Sequence, residues 1–392
     1  MEVNIKILLV LLLTVSLSQA EDFDTFLQDA IKKSPYLKAN SLNIDRAQEQ
    51  ASLTTRYKNP SLRLVTSNFS EDKKSDTLGY AVGLTQPLRL WGLSDAREGL
   101  ANAQKGEASS FVQLNRANFV KRLSLLFVKY KKVQEDKKLA KLALNISKKI
   151  AAISKSRFKN GTITQAKYIQ AKVDVKRGKN FLNKVDIISL ESYYSLLGFS
   201  GISDEVALDS AYEFHLSANH SGINSASVAF TKSKQKRAEA QAELNSHKIE
   251  WVTAFGKFEK EPTQSIARIG VNIPLAVFNR KTQEKQIAKL QVKTSKLIAQ
   301  NQINAITKSL KKLDISINAL NVLEQSTQEL LESQNELLLM YENGYKIANI
   351  NLIELQMIKN QMIKTKAELI NIQTKREQNI IEHNFLTGEY NE

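Results

Sequence analysis

The stretch Tyr80-Ala81-Val82-Gly83-Leu84-Thr85-Gln86-Pro87-Leu88-Arg89-Leu90-Trp91-Gly92 alternates large apolar residues with small or polar ones and then meets a proline. Leu78, Tyr80, Val82 and Leu84 fall on one face of an extended chain, and Gly79, Ala81, Gly83 and Thr85 fall on the other. The stretch from Arg268 to Arg280 echoes it, with Ile269, Val271 and Ile273 set against Arg268, Gly270 and Asn272. Proline cannot donate to a strand ladder and belongs at element boundaries, so each strand is read as stopping at its proline, Pro87 or Pro274. A long helical pattern follows each one. The same strand-to-helix junction therefore occurs twice, marked first by Gln86, Pro87 and Gly92 and then by Pro274 and Asn279. A repeat of this kind decides the fold.

The chain has 392 residues, no cysteine and a formal net charge of +16. An apolar run from Ile7 to Leu17 follows Lys6 and ends in Ser18-Gln19-Ala20, the pattern of a signal peptide cleaved after residue 20. The run is shorter than the roughly 20 residues a membrane-spanning helix needs. With no cysteine after the cleavage site a lipidated N-terminus is excluded, and without disulfides the exported chain must draw its stability from packing or assembly. The positive charge is interleaved with Glu, Gln and Asn along helical repeats, which is the pattern of solvated helix faces, and no nucleic-acid partner is expected.

Read in order, Phe23 to Tyr57 is helical with an interruption at Ser34-Pro35. Ser61 to Phe69 is a first strand, Glu71 to Asp76 a charged hairpin loop, and the second strand follows. From Leu93 to Lys159 there is no proline, and Leu123, Leu126, Tyr130, Val133, Ala140 and Leu144 keep the coiled-coil period. Asn160-Gly161 breaks that helix, and another runs from about Thr164 to Leu197, stopping at Gly198 to Gly201. Residues 202–221 form a connector. The second half repeats the plan: a helix over Asn224–Ile249, strands at Trp251–Phe258 and Ile266–Ile273, a long helix from Thr282, a break at Asn343-Gly344 and a last helix from about Ile347 to Leu386. The separations agree, 74 residues from Pro87 to Gly161 and 70 from Pro274 to Gly344. At 1.5 Å per residue each long helix spans about 100 Å and must lie beside others along its length. The organisation is then a signal peptide over 1–20, a first repeat over 21–201, the connector over 202–221 and a second repeat over 222–392.

Two hairpins cannot close a sheet, and open sheet edges are excluded from lipid, so a membrane reading requires several copies to pool their strands. A soluble sheet packed on helices, in an exported coiled-coil structural or adhesive protein, is the competing reading. Nothing resembles an active site, a cofactor site or a metal site. The four histidines form no ligand cluster, His215 and His220 being the nearest pair, and no glycine loop cradles phosphate. Trp91 and Trp251, at strand ends, suit the aromatic belts of a membrane interface or a packed strand–helix corner.

Gln86-Pro87-Leu88 with Gly92, Arg157-Phe158-Lys159-Asn160-Gly161-Thr162-Ile163-Thr164 and Tyr341-Glu342-Asn343-Gly344, in this doubled order, make the chain resemble the TolC-like outer-membrane efflux proteins over its mature length. The resemblance implies a mainly α chain with a small transmembrane β portion. It would form a homotrimer with a twelve-stranded β-barrel in the outer-membrane lipid above a periplasmic α-helical barrel. It also implies two partners, a periplasmic adaptor (membrane fusion) protein and an inner-membrane pump, of the resistance-nodulation-division class or another exporter. Asn160, Gly161, Thr162, Asn343, Gly344 and Tyr345 would form the tips that meet the adaptor, and Tyr341, Lys346, Asn351 and Glu354 fall near the family's gate contacts. Three Glu354 carboxylates around an axis would make a cation-attracting ring, whereas on a single helix Glu354 simply faces solvent. The stretch from Gln86 to Arg97, with Ile273-Pro274-Leu275 and Phe278-Asn279-Arg280, looks most like the CzcC-like heavy-metal branch. There a glycine usually follows the Asn-Arg pair, and here Lys281-Thr282-Gln283 stands instead. By the same resemblance the chain is a passive duct for heavy-metal cations, drugs or polypeptides, not an enzyme.

Overall fold

Long stretches without proline set the helices, and short alternating stretches between them set one sheet. The computed structural model describes residues 21–391 except 71, 73, 74, 219 and 220. The expected signal peptide, the tip of the first hairpin loop and His220 lie outside the described residues. Helices α1 (Phe23–Lys33) and α2 (Pro35–Thr55) lead into strands β1 (Ser61–Phe69) and β2 (Thr77–Arg89). Then come α3 (Leu93–Lys159), α4 (Gln165–Ser200) and α5 (Ala226–Ser246), strands β3 (Trp251–Lys260) and β4 (Ser265–Asn272), and finally α6 (Thr282–Lys346) and α7 (Leu352–Thr387). Among the described residues no helix is long and apolar enough to cross a membrane.

The strands form one antiparallel sheet in the order β1-β2-β3-β4. The register places Leu62 and Leu64 of β1, Leu78 to Leu84 at every second residue of β2, and Ile269 and Val271 of β4 on one face. These side chains are exposed, Leu78 at 79% and Ile269 at 94%. The opposite face carries Arg63, the small residues Gly79, Ala81 and Gly83, then Lys257, Glu259, Arg268 and Gly270. Two of its glycines make room for rings. A Cβ on Gly79 would sit 2.6 Å from the Phe69 ring, and one on Gly270 would sit 2.6 Å from that of Phe255.

The boundaries depart from the sequence reading at several places. β2 does not stop at Pro87 but continues to Arg89, with Pro87 opposite Thr253. β1 pairing ends at Ser61–Thr85, so beyond Thr85 β2 is an edge on that side and tolerates a residue that cannot donate. α4 runs through Gly198 and ends at Gly201, whose φ of 76° is the left-handed stop. α5 is shorter at both ends than expected. Asn343-Gly344 is not a break, because α6 continues to Lys346. Gly344 is small for a different reason: a Cβ there would sit 2.6 Å from Ile350.

Two compact units emerge, interleaved in sequence and so cutting across the two sequence repeats. One comprises the described part of Met1–Ser34, Leu123–Phe214 and Leu320–Gln378. In its core Phe23 lies tilted against Phe127 (4.5 Å between ring centroids), with Tyr212 and Phe214 at 5.2 and 5.3 Å from Phe23. The connector is strapped there by Glu21, which donates to the Ala207 carbonyl (2.7 Å) and accepts from Asp209 (3.0 Å). Elsewhere in this unit Ile146, Ile150, Leu338, Tyr345, Leu352 and Leu355 form a second cluster. Lys131 bridges Glu377 (2.6 Å) and the Tyr212 carbonyl (2.7 Å), and burial raises the Glu377 carboxyl above its usual range against the lowering effect of Lys131.

The other unit comprises Pro35–Arg122, His215–Ala319 and Asn379–Glu392, and it holds the sheet. Its helical core uses Ala117, Val228, Phe385 and the α6 residues Ile306, Leu310 and Leu313, which follow one another at steps of four and three as a helix face requires.

Truncating Phe127 to Ala would empty the centre of the aromatic cluster. The expected loss is about 3–5 kcal/mol, the range for a fully buried phenylalanine, measured by denaturant unfolding of the detergent-solubilised protein.

Candidate functional site

Two helix-to-helix turns lie in the first unit, and both close in the same way. At the end of α3, Gly161 has φ 72°. Its N–H donates to the Phe158 carbonyl (3.0 Å), and that of Thr162 to the Arg157 carbonyl (2.9 Å). This nested pair is the Schellman motif, which satisfies carbonyls the helix end leaves open. At the end of α6 the left-handed residue is Ala348, φ 71°. Its N–H donates to Tyr345 (3.4 Å) and that of Asn349 to Gly344 (3.0 Å), which is the same pattern. The equivalent of Gly161 is therefore Ala348 and not Gly344, and it places the second tip at Ile347–Ile350. The substitution carries strain, because an L-residue with a Cβ in this region costs about 1–2 kcal/mol.

Helix starts follow each turn. Thr164 caps α4 by accepting from the Lys167 N–H. Asn351 and Glu354 cap α7 reciprocally: the Glu354 N–H donates to Asn351 Oδ1 (3.0 Å), and the Asn351 N–H donates to Glu354 Oε2 (3.3 Å). That is a capping box. Two residues expected near the gate are thus engaged with each other at the first turn of a helix.

A buried anchor joins the two turns. Tyr345 is wholly buried, so the side chain expected at the docking tip is not available to a partner. Its hydroxyl pairs with Ser154 Oγ (2.8 Å), and the Arg157 guanidinium lies 4.6 Å from its ring. Arg157 Nη1 donates to the Tyr345 carbonyl (2.8 Å) and reaches that of Ile350 (3.4 Å). Arg157 thus holds the residues before and after the α6 turn against the end of α3. Further along, Lys359 is 4% exposed and donates to Asp174 (2.5 Å) and Ser147 (3.1 Å), and Ser147 donates to Asp174 (2.8 Å), tying α7 to α3 and α4. Asn160, Gly161, Thr162, Asn343 and Lys346 are exposed, and Tyr341 is half-buried against the cluster. The sequence reading missed Arg157, Ser154 and Lys359 as organising residues, because their partners are far away in the chain.

The second unit contains the strand–helix junctions. Trp251, at the start of β3, is surrounded by cations: Lys58 Nζ at 4.9 Å, Arg89 at 5.3 Å and Arg97 at 5.7 Å from the ring. Arg97 (3.0 Å) and Lys281 (2.7 Å) share the Glu250 carboxylate. Gln86 donates to the Lys58 carbonyl (3.1 Å), and Asn279 Oδ1 accepts from the Lys281 N–H (3.1 Å). Lys281 itself has φ 53°, so it occupies the left-handed position that a glycine after Asn279-Arg280 would fill. Gly92 has φ 75°. Pro274 follows the end of β4. Trp91 differs from Trp251 in being 95% exposed. Among the described residues no three His, Cys, Asp or Glu side chains gather as a metal site would require.

The family model described as outer membrane efflux protein matches residues 26–186. Comparison with curated protein sequences gives no significant match. Solved structures superpose over nearly the whole chain. CusC, described as forming a transmembrane channel, matches at 14% identity over 95% of each chain, TM-score 0.78. The CmeC outer membrane channel of Campylobacter jejuni matches at 13% identity over 93% of this chain and 85% of that one, TM-score 0.76. The outer membrane protein VceC of Vibrio cholerae matches at 14% identity over 93% and 95%, TM-score 0.76. The chain has the fold of outer-membrane efflux channels.

Two outcomes follow from this geometry. Glu354→Ala is expected to fray the first turn of α7, losing about 1 kcal/mol, whereas Glu354→Gln keeps the capping hydrogen bond; amide hydrogen exchange at residues 352–355 distinguishes them. Glu250 is held below the usual carboxylate range, chiefly by the hydrogen bond from Lys281, with attraction from Lys281 and Arg97 adding to it against burial. A depressed folded pKa gives stability that is present above the unfolded value and lost as pH falls through the folded one. Glu250→Gln should then lower stability by roughly 1 kcal/mol at neutral pH, after allowance for its partial exposure, with the difference vanishing in strong acid in denaturant titrations of the two proteins.

Proposed function

We propose that the chain is a member of the outer membrane efflux protein family and works as the passive exit duct of a tripartite export system. In this reading three copies pool their four strands into one barrel in the outer membrane, and their helices line a periplasmic tunnel. The tips at Asn160–Thr162 and Ile347–Ile350 meet a periplasmic adaptor, which links the duct to an inner-membrane pump of the resistance-nodulation-division class or another exporter. The chain supplies no energy of its own and catalyses no reaction.

The observation that carries this reading is the sheet. It has two edges, β1 and β4, and one face of exposed Leu, Ile, Val and Tyr. In water such a face is an aggregation hazard, and in lipid the edges are forbidden. Closing the sheet with further copies resolves both. The exposed apolar residues Ile287, Leu290, Leu297 and Ile298 on α6 supply surface for such copies to pack on. The Trp91 ring, exposed beside the end of β2, suits the membrane interface, whereas Trp251 is engaged by its cations.

The resemblance to the CzcC-like branch favours heavy-metal cations as cargo; drugs, or polypeptides through a type I system, make up the second cargo class. Deletion that sensitises cells to metals but not to drugs supports the first class, and the reverse pattern supports the second.

The duct reading is tested by membrane fractionation followed by mass determination of the detergent-solubilised native protein. A trimer in the outer-membrane fraction is expected. A soluble monomer or dimer overturns the duct and leaves an exported coiled-coil scaffold.

A further inference from the structure

If the apolar face of the sheet meets lipid, the opposite face lines the lumen, and its charges are arranged in a row. Arg63 stands opposite Gly83, Gly83 opposite Lys257, and Lys257 opposite Arg268, so one rung running across all four strands carries three cations. Nothing separates Arg63 from Lys257 on that rung, because Gly83 has no side chain; a Cβ there would lie 3.7 Å from Lys257 Cγ and 4.0 Å from Arg63 Cβ. The next rung holds Glu259, which pairs with both Lys257 and Arg268. It is the one carboxylate among the described residues of this face. Its side chain is only 17% exposed, against 36% for Lys257 and 49% for Arg268. Arg63 makes no ion pair among the described residues. The carboxylate is therefore recessed and the cations stand toward the open space.

We propose that Arg63, Lys257 and Arg268 form an anion-selecting band in the barrel lumen. This inference rests on the trimeric duct reading above. Three cations against one carboxylate leave a net +2 in each chain, and three chains bring +6 to one level of the pore. Rings of one sign select ions of the other, and at 0.1 M salt such charges reach about 10 Å into solution. Anionic and neutral solutes pass this level freely, while a free divalent metal cation is repelled. The band thus weighs against the free metal cations that the branch resemblance favours as cargo, and for organic solutes or metals carried as anionic complexes.

The experiment is a reversal-potential measurement on the purified full chain in planar lipid bilayers under a KCl gradient. The wild type is expected to favour chloride over potassium. Arg63→Gln should move the permeability ratio toward potassium, and the triple variant Arg63→Gln/Lys257→Gln/Arg268→Gln should move it severalfold further. Arg63→Gln lies outside the Glu259 network, so it keeps the test decisive if the triple variant fails to assemble. Pores that favour potassium, or variants that leave the ratio unchanged, overturn the band while leaving the duct intact. A protein that makes no pores and does not reach the outer membrane overturns the duct, and the band with it.

Discussion

An antiparallel sheet of four strands has two rows of backbone groups with nothing to bond. In water those rows are solvated, but in a hydrocarbon layer each unpaired group costs several kcal/mol. One face of this sheet is apolar and exposed from β1 through β4, and in the duct proposed above it would lie in the layer that its edges forbid. Only a closed ring of such sheets satisfies both demands. Much else in the chain follows from that conflict: the glycine-rich inner face, the apolar seam on α6, and a chain whose helices keep hydrophobic residues on more than one side.

The helical unit solves a different problem. Long helices lying side by side can slide against one another by whole turns with little change in buried apolar area. Lys359, bonded to Asp174 and Ser147, and Lys131, bonded to Glu377 and the Tyr212 carbonyl, fix the helices at named points. Buried ion pairs of this kind add little net stability over a well-packed apolar pair, yet breaking one leaves an uncompensated charge. Their effect is to make one register far better than its neighbours.

Much of the fold was legible in the sequence. The bounds of β1 and α3, the interruption at Ser34-Pro35 and the pairing of strands into two hairpins all follow from periodicity, proline and turn chemistry. Joining the hairpins through β2 and β3 was not legible, because the partners are distant in sequence. Two residues that punctuate chains elsewhere do not do so here. Pro87 reads as a strand end, but a strand with one free side accommodates it. Gly344 reads as a helix stop, but it is a contact glycine beneath Ile350, and the stop falls on Ala348. The correct boundary had a signal of its own, since Asn351-Leu352-Ile353-Glu354 spells a capping box. Glu354, which three copies around an axis would gather into a ring of charge, holds a helix start within the single chain. The role of Arg157 is not legible in its local sequence, because its hydrogen bonds go to residues nearly two hundred positions away.

The two turns share one hydrogen-bonding scheme but differ in substance. One is closed by a glycine, and the other by a strained alanine with a buried tyrosine and arginine behind it. In the trimeric duct proposed above, three copies would present six knobs, three of each kind. A binding partner with true sixfold symmetry would find only three of the knobs to its liking. One built from three pairs of unlike modules, or from six copies that adapt in two ways, could grip all of them.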